Sequence, residues 1–282
     1  WKIGPALTAG NTVVLKPAII YANGIGPLKS HFGRYLTKSL LNTVTEISVR
    51  DDESLRLLRE IGVVRQIKVT ADPAFLLEAA PPPRVGQILQ ESGIDSSMPM
   101  AWLALRPGRM SGAFYDSLAK AVAYLRREKL FPCLLVMQER DMPVVQALNQ
   151  SLKDVFEPEV PRVSGLTPSE ALGVLKRGEF CFGMRLHTLI LAAKAGVPSM
   201  GVEIDPKIGA FCRGLDLPVL KDPAHTPNTC LEQAMKAFVP DRHKRAKDLQ
   251  VQLPRLVSLA QQNVDLIVDT LTRSDSRRAR VQ

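Results

Sequence analysis

The stretch GMRLHTLILAAKAGVPSMGVEIDPK, Gly183–Lys207, contains the pattern that decides the fold. An apolar run with helical spacing, Leu186–Ala195, stops at Gly196, and a short apolar run, Ser199–Val202, follows. Glycine commonly ends a helix because it adopts the left-handed conformation without a Cβ penalty. A short apolar run bounded by turn residues is typical of a buried strand. The stretch therefore predicts a helix, a buried strand and then a further helix capped by Asp205-Pro206.

The same alternation continues towards both ends of the chain. Other buried strands are predicted at short apolar runs, namely Ile19–Ala22, Glu46–Val49, Ile67–Thr70, Trp102–Leu105, Cys133–Met137 and Glu179–Phe182. Helical patterns separate them, one with Asp51 as its cap, another with a capping box that starts at Thr167. This alternation implies right-handed crossovers and therefore an α/β fold with parallel sheets flanked by helices. The proline-rich segment Ala80–Val85 is the best candidate linker, and Asp241–Thr272 is predicted to be helical.

The composition is that of an ordinary globular protein. Of 282 residues, 45% are hydrophobic and 23% charged, a balance that argues against disorder outside the ends. Lys194 interrupts the longest apolar stretch, so no membrane-spanning helix is expected, and the N-terminus lacks the pattern of a secretory signal. The four cysteines and four histidines are scattered, so we expect no metal site and no cofactor. These features favour a reduced, cytoplasmic setting.

The formal net charge of +9 has several interpretations. Part of it lies in the basic segment 273–282, which is predicted to be a disordered tail. Only 5% of the residues are aromatic, so platforms for base stacking are scarce and no nucleic-acid partner is expected. An anionic substrate and a weak association with a membrane surface account for the charge equally well.

Basic side chains follow two neighbouring predicted strands. Arg185 and His187 come after Glu179–Phe182, and Lys207 comes after Ser199–Val202. Ligands of open parallel sheets bind outside the carboxyl ends of the strands, and the free N–H groups of a helix start favour an anion. The pattern predicts a site for a small anionic substrate, with arginine as a fork for carboxylate or phosphate and histidine as a proton donor. The structural alternative is that His187 bonds a carbonyl, Arg185 pairs with a carboxylate and Lys207 is solvated.

Several blocks resemble the polysaccharide pyruvyl transferase family, particularly the bacterial enzymes that pyruvylate cell-wall polymers anchoring surface layers. They occur in family order, as YANGIGPL (Tyr21–Leu28), ISVRDDES (Ile47–Ser54), VTADPAFLL (Val69–Leu77), WLALRP (Trp102–Pro107), GMRLHTLILAAKAGVP (Gly183–Pro198) and DPKIGAFCRGLDLP (Asp205–Pro218). The resemblance implies a glycosyltransferase-B-like fold with two Rossmann-like halves. It also implies transfer of the pyruvyl group of phosphoenolpyruvate to two hydroxyls of a glycan or lipid-linked saccharide, forming a ketal and releasing phosphate, at the inner face of the membrane.

The resemblance also implies roles for individual residues. His187 is the acid that protonates the enol methylene carbon, while Arg185 and Lys207 hold the phosphate and the carboxylate. Arg50 and Arg106, each at a strand end, are further candidates for substrate binding.

Two of these strand-end positions carry alternatives. Arg50 is as well explained by a pair with Asp51 or Glu53 at the start of a helix, and Arg106 either faces the cleft between the halves or lies outside it. Asp72, in VTADPAF, is interpreted as a structural turn or cap.

The first 18 residues resemble a different family, the aldehyde dehydrogenases, in which the lysine of a VLKP stretch lies beside the ribose of the nicotinamide cofactor. Lys16 matches that lysine, but nothing downstream matches the dehydrogenase nucleophile or base. We therefore expect a seam near Ala18–Ile19 and an N-terminally truncated first half, whose turnover is doubtful; the structural alternative is that Thr12–Leu15 is an edge strand. The expected domains are 1–18, a remnant of the first half at 19–84, the second half with C-terminal helices at 85–272, and the tail 273–282.

Two other functions use the same pattern of residues. A nucleotide-sugar glycosyltransferase would place a diphosphate in the crevice that is predicted for phosphoenolpyruvate. A non-catalytic fragment would bind an anion or a glycan without chemistry.

Overall fold

The computed structural model of the protein describes residues 18–108, 110–221 and 230–278. Lys16 and the Thr12–Leu15 segment lie outside these residues. The chain forms two compact units, of which one runs to Pro73 and resumes at Val257, while the other comprises Ala74–Leu256. The division thus falls upstream of the 84/85 boundary expected from the sequence.

The first unit contains a parallel sheet with the strand order β1-β2-β3 in the described residues. Its elements are β1 (Ile19–Asn23), α1 (His31–Leu41), β2 (Glu46–Val49), α2 (Asp52–Glu60) and β3 (Ile67–Val69). Ile47, Val49 and Leu58 lie in its core. As expected, the carboxylate of Asp51 caps α2 by accepting from the N–H of Ser54.

The second unit contains a parallel sheet in the order β6-β5-β4-β7-β8-β9. Its strands are β4 (Met100–Ala104), β5 (Phe131–Val136), β6 (Arg162–Ser164), β7 (Gly178–Gly183), β8 (Ser199–Glu203) and β9 (Val219–Lys221). Its helices are α3 (Pro82–Glu91), α4 (Gly112–Arg127), α5 (Met142–Asp154), α6 (Pro168–Leu175), α7 (Leu186–Lys194), α8 (Pro206–Gly214) and α9 (Cys230–Phe238). The 3₁₀ segments are Pro73–Leu76, Glu139–Asp141 and Val239–Asp241. The predicted α/β class with parallel sheets flanked by helices is confirmed.

Both faces of this sheet are covered by packed side chains. Neighbouring residues of one strand belong to different apolar clusters, with Leu103 and Phe182 in one and Trp102 and Cys181 in the other. Successive side chains of a strand point to opposite faces, so the sheet separates two cores. This explains why its central strands are continuous apolar runs rather than alternating ones.

The proline-rich segment predicted to be a linker instead opens a helix. α3 begins at Pro82 after Pro81 as its N-cap, and the N–H of Ala80 donates to the carbonyl of Ser169 at 2.9 Å. Proline is tolerated in the first helical turn because the N–H groups there have no partner within the helix. Three consecutive prolines are therefore compatible with a helix start and with an extended linker, and here they start a helix.

The last helix, α10 (Arg242–Arg278), begins in the second unit and ends in the first. It continues past Thr272, where the sequence pattern was expected to end, because neither glycine nor proline interrupts residues 273–278. No helix in the described ranges is both long enough and apolar enough to cross a bilayer.

Asn263 fastens α10 to the sheet of the first unit through a buried polar network. Its Oδ1 accepts from the hydroxyls of Ser48 at 2.7 Å and Thr70 at 2.8 Å. Its Nδ2 donates to the carbonyls of Ala71 at 3.0 Å and Ala260 at 3.2 Å. Asn263, Ser48 and Thr70 are all buried, and the network continues from the N–H of Ala22 to the hydroxyl of Ser48 at 2.8 Å and from the hydroxyl of Thr70 to the carbonyl of Val49 at 3.1 Å.

We expect Asn263→Ala to lower the free energy of unfolding by about 1–3 kcal/mol, because it removes the buried acceptor shared by two hydroxyls and the donor to the carbonyl of Ala71. Urea denaturation followed by circular dichroism measures this change. The matched control is Gln261→Ala, whose exposed amide bonds only Asp265 in the described part of the chain. Equal midpoints for the two variants would contradict the role assigned to Asn263.

The predicted capping box at the start of α6 is present. The carboxylate of Glu170 accepts from the N–H and the hydroxyl of Thr167, both at 2.9 Å, and from Arg84 at 2.7 Å. These bonds, the backbone N–H first, lower the pKa of Glu170 from 4.5 to about 2.

A lowered pKa in the folded state contributes stability above the unfolded pKa and loses it as the pH falls towards about 2. The melting temperature of the protein should therefore exceed that of Glu170→Gln near neutral pH, and the difference should shrink below pH 4.5. Thermal melts of both proteins between neutral and acidic pH measure it. A difference that does not change with pH would show that the carboxylate charge is not responsible.

Candidate active site

The candidate site lies where the direction of strand succession reverses in the sheet of the second unit. β4 pairs with β5 on one side and with β7 on the other, with Ala104 opposite Gly183. Connections that leave β4 and β7 on different sides open a crevice at the carboxyl ends of these strands, where ligands of this fold bind. The segments that follow β4, β5, β7 and β8 carry Arg106, Asp141, Arg185 and Lys207.

Two glycines allow α7 to lie close to these strand ends. Gly183 and Gly201 are paired between β7 and β8, and Leu189 packs over both. A Cβ on Gly183 would lie 2.6 Å from Leu189, and one on Gly201 would lie 3.2 Å from it and 2.6 Å from Cys212. Gly183 is the last residue of β7. Its lack of a side chain allows the close approach of α7, and that approach sets the position of His187.

Arg185, the N-cap of α7, is paired with a buried carboxylate. Its Nε donates to Oδ2 of Asp141 at 3.0 Å, and its Nη2 donates to Oδ1. The side chain of Asp141 is 1% exposed and that of Arg185 13%. Since β4 separates β5 from β7 in the sheet, this bidentate pair spans the end of β4. The structural alternative for Arg185 is therefore realised, while its Nη1 has no partner in the described part of the chain.

His187 and Arg106 carry side chains without a polar partner among the described residues. His187 is exposed in the first turn of α7, and Arg106 is half-buried after β4. Neither side chain forms a hydrogen bond or ion pair within residues 18–108, 110–221 and 230–278. A guanidinium and an imidazole at neighbouring strand ends are thus left for a ligand.

Lys207 lies in the first turn of α8, one strand further along. Asp205 caps this helix by accepting from the N–H of Lys207 at 3.0 Å, as the sequence predicts, and the side chain of Lys207 is half-buried. Arg106, Arg185, His187 and Lys207 therefore follow β4, β7 and β8 at one edge of one sheet. Within the described residues, no group of three or more His, Cys, Asp or Glu side chains is arranged to hold a metal ion.

Arg50 lies in the first unit, after β2, and is paired there. Its Nη1 donates to Asp72 at 2.6 Å, and its Nε lies 3.8 Å from a carboxylate oxygen of Asp51. Gly24 leaves room for the guanidinium, since a Cβ there would lie 2.6 Å from Nε and Nη2. Burial, and secondarily the charge of Asp72, raises the pKa of Tyr21. The pair of Arg50 with Asp51 agrees with the alternative drawn from the sequence, whereas Asp72, interpreted there as a turn or cap, is the ion-pair partner of Arg50.

Asp141 is the residue of this site that the sequence pattern does not reveal. It lies just before Met142-Pro143, a helix start, and closes a capping box by accepting from the N–H of Gln138. That local signal indicates a helix cap. Its pairing with Arg185 depends on the strand order, which places β5 and β7 on either side of β4.

Comparisons with known proteins identify the family and the fold. Residues 13–206 match the polysaccharide pyruvyl transferase family, so the match starts within the segment 1–18 that resembles aldehyde dehydrogenases. A search of curated proteins gave no match.

Several solved structures share the fold. HepE from Anabaena, in complex with UDP-glucose, is 13% identical with a TM-score of 0.60, and the likeness covers 94% of this chain and 74% of HepE. Sucrose-phosphate synthase from Thermosynechococcus elongatus is 16% identical with a TM-score of 0.56, over 87% and 63% of the two chains. WaaG, a glycosyltransferase of lipopolysaccharide biosynthesis, is 13% identical with a TM-score of 0.52, over 79% and 62%. The chain thus spans less than two thirds of the last two proteins and has the glycosyltransferase-B type of fold.

We expect Asp141→Asn to destabilise the protein by about 1–3 kcal/mol, because it leaves the guanidinium of Arg185 without its buried counter-charge. A double-mutant cycle of Asp141→Ala with Arg185→Ala should give a coupling free energy of similar size, measured by urea denaturation. Glu139→Gln, which removes an exposed carboxylate from the same turn, is the control and should be nearly neutral. A coupling free energy near zero would mean that the pair does not hold the strand ends together.

Proposed function

We propose that this chain, which belongs to the polysaccharide pyruvyl transferase family, transfers the pyruvyl group of phosphoenolpyruvate to two hydroxyls of a cell-wall polysaccharide sugar. The products are a cyclic ketal and inorganic phosphate. The observation that carries the proposal is the position of His187, exposed and without a polar partner in the described part of the chain, beside basic side chains that follow β4, β7 and β8. Phosphoenolpyruvate needs such a set, because it carries a phosphate, a carboxylate and a carbon that must accept a proton.

Arg106 and Lys207 are the side chains proposed to bind the two anionic groups of the donor. Arg106 has no partner in the described part of the chain, and an arginine fork matches the geometry of phosphate and carboxylate. The N-terminal ends of α7 and α8 add partial positive charge at the same edge of the sheet. Negative charge that develops on the departing phosphate is stabilised by donors already in place.

Arg185 takes part through the nitrogen that Asp141 leaves available. The pair with Asp141 uses Nε and Nη2, so the proposed contact with the donor is made by Nη1. Asp141 would then be a positioning residue, which holds the guanidinium plane in one orientation. Arg50, whose charge is offset by Asp72 and Asp51, is a weaker candidate for substrate binding than Arg106.

In the proposed reaction His187 donates a proton to the methylene carbon of the enolpyruvyl group, which becomes a methyl group, and positive charge develops at C2. A sugar hydroxyl attacks C2, forming the first C–O bond, and its proton returns to His187. The bond between C2 and the phosphate-bearing oxygen then breaks, and inorganic phosphate leaves. The second hydroxyl attacks C2 and closes the ketal, and its proton leaves with the phosphate.

The acceptor is proposed to be a glycan or lipid-linked saccharide of the cell wall, of the kind that anchors surface layers. Such an acceptor places the reaction in the cytoplasm, at the inner face of the membrane. The excess of basic residues, +9 in net charge, suits both an anionic donor and a surface with anionic lipids.

Nucleotide-sugar transfer is the second candidate function. The likeness to HepE in complex with UDP-glucose favours it, because the same crevice at the end of β4 would hold a diphosphate. Arg106 and Lys207 would then neutralise a leaving nucleotide. Nucleotide-sugar transfer, however, gives no role to the exposed histidine at the start of α7.

The test measures binding and turnover separately, on the purified chain. Calorimetric titration with phosphoenolpyruvate should give one site, weakened about tenfold in Arg106→Gln by the loss of a charged hydrogen bond. Phosphate release with cell-wall glycan fragments as acceptor should fall about 10²–10⁴-fold in His187→Gln, as for loss of a general acid, while binding persists. The control is His243→Gln, which alters an exposed histidine in α10. It should retain both the binding of phosphoenolpyruvate and the release of phosphate.

Tighter binding of UDP-glucose than of phosphoenolpyruvate, without pyruvyl incorporation into glycan, would favour nucleotide-sugar transfer. Saturable binding of phosphoenolpyruvate with no phosphate release in the unaltered chain would contradict the catalytic proposal. The chain would then bind the anion without chemistry.

A further inference from the structure

A cavity of about 750 Å³ lies within the second unit, at the amino ends of the strands of the same sheet. Arg177, which lines it, directly precedes β7, and Ser96, also in its lining, precedes β4. These residues place the cavity at the N-terminal ends of the central strands, opposite the edge that carries His187. A volume of this size suits a ligand of metabolite dimensions.

Three cationic side chains line this cavity, namely Lys176, Arg177 and Lys194, and one carboxylate, Glu78, accompanies them. Arg177 donates to the carbonyl of Ser96 at 3.0 Å. The ammonium groups of Lys176 and Lys194 form no hydrogen bond or ion pair with any described residue. The lining therefore carries an excess of two positive charges.

Helix ends account for part of this arrangement. Lys176 is the C-cap of α6 and Lys194 is the last residue of α7, where cations offset the partial negative charge of helix C-termini. That effect does not require the two lysines to converge on one cavity. Burial, and secondarily repulsion from Lys176, lowers the pKa of Lys194 although Glu78 opposes the shift. The convergence thus costs free energy that an anion in the cavity would recover.

The rest of the lining is apolar and leaves space. Leu77, Val85 and Leu89 contribute hydrocarbon surface, and Pro81 and Pro82 form a stiff wall. Gly86, in the middle of α3, also lines the cavity, and a Cβ there would meet no atom within 4 Å. The proline-rich segment that the sequence pattern marked as a linker is therefore a wall of this cavity.

We propose that this cavity is a second ligand site, which takes a small phosphate monoester with an apolar body. The dianionic phosphate matches the excess of two positive charges, with Lys176 and Lys194 as its ammonium donors and Arg177 beside them. The apolar body lies against Leu77, Val85 and Leu89. The site is separate from the proposed reaction, since it shares no side chain with the edge that carries Arg106 and His187.

The test uses phenyl phosphate as the probe and phenol as its neutral counterpart, titrated calorimetrically into the full chain. Phenyl phosphate should bind at one site, and phenol much more weakly. Lys194→Met should weaken binding of phenyl phosphate about tenfold, while Lys120→Met, an exposed lysine of α4, and Arg106→Gln should leave it unchanged. Gly86→Leu should weaken binding by placing a side chain in the space that the apolar body of the probe would occupy, and Gly86→Ala, which adds only a Cβ, should retain it.

Binding that survives both Lys194→Met and Gly86→Leu, or that is lost in Arg106→Gln, would overturn the proposal, because the probe would then occupy the edge of the sheet with His187. The absence of saturable binding at millimolar phenyl phosphate would overturn it as well. A Lys194→Met variant with a lower melting temperature but unchanged affinity would show that Lys194 only stabilises the end of α7. Gly86→Leu keeps the test informative if Lys194→Met does not fold, because leucine favours the helix.

Discussion

The pairing of β4 with β7 is the constraint on which the second unit depends. These two parallel strands are distant in sequence, yet Ala101–Ala104 lie in register with Phe180–Gly183, and the helices that follow them leave on different sides of the pair. Every strand on one side is added outward from β4, and every strand on the other side outward from β7. The carboxyl ends therefore meet at one crevice, and the amino ends meet beside a second opening. Both proposed ligand sites are consequences of this one pairing.

Ion pairing decides which of the basic side chains are available to an anion. Arg185 and Arg50 each bind a carboxylate that is largely buried, Asp141 and Asp72 respectively, so their charges are mostly compensated within the protein. Arg106 keeps its charge uncompensated within the described residues, and a half-buried guanidinium interacts with an anion more strongly than a fully solvated one does. Strand-end position alone thus does not identify a ligand-binding arginine; its partners must also be known.

Local patterns were sufficient to predict much of the fold and part of the site. Seven of the nine described strands, the start of α7, the Asp205 cap of α8 and the Thr167 capping box depend on residues within a few positions of one another, and the structure confirms them. The short outer strands β6 and β9 were not predicted. His187 could be placed because it follows a strand and lies in the first turn of an apolar helix. Asp141 could not, because its partner Arg185 follows a different strand and the strand order is a property of the whole sheet. The proline-rich segment was misjudged because prolines suit both a linker and a first helical turn.

Helix α7 runs from the carboxyl ends of the strands to their amino ends, since His187 lies in its first turn and Lys194 at its end. Its nine residues extend about 13 Å, and Leu189, packed against Gly183 and Gly201, holds its first turns against β7 and β8. Close-packed contacts of this kind resist small continuous displacements. A ligand beside Lys194 could therefore influence His187 only by moving the helix as a whole, and that movement would have to break the contact of Leu189 with both glycines. The packing that positions the histidine thus also argues that the two sites bind their ligands independently.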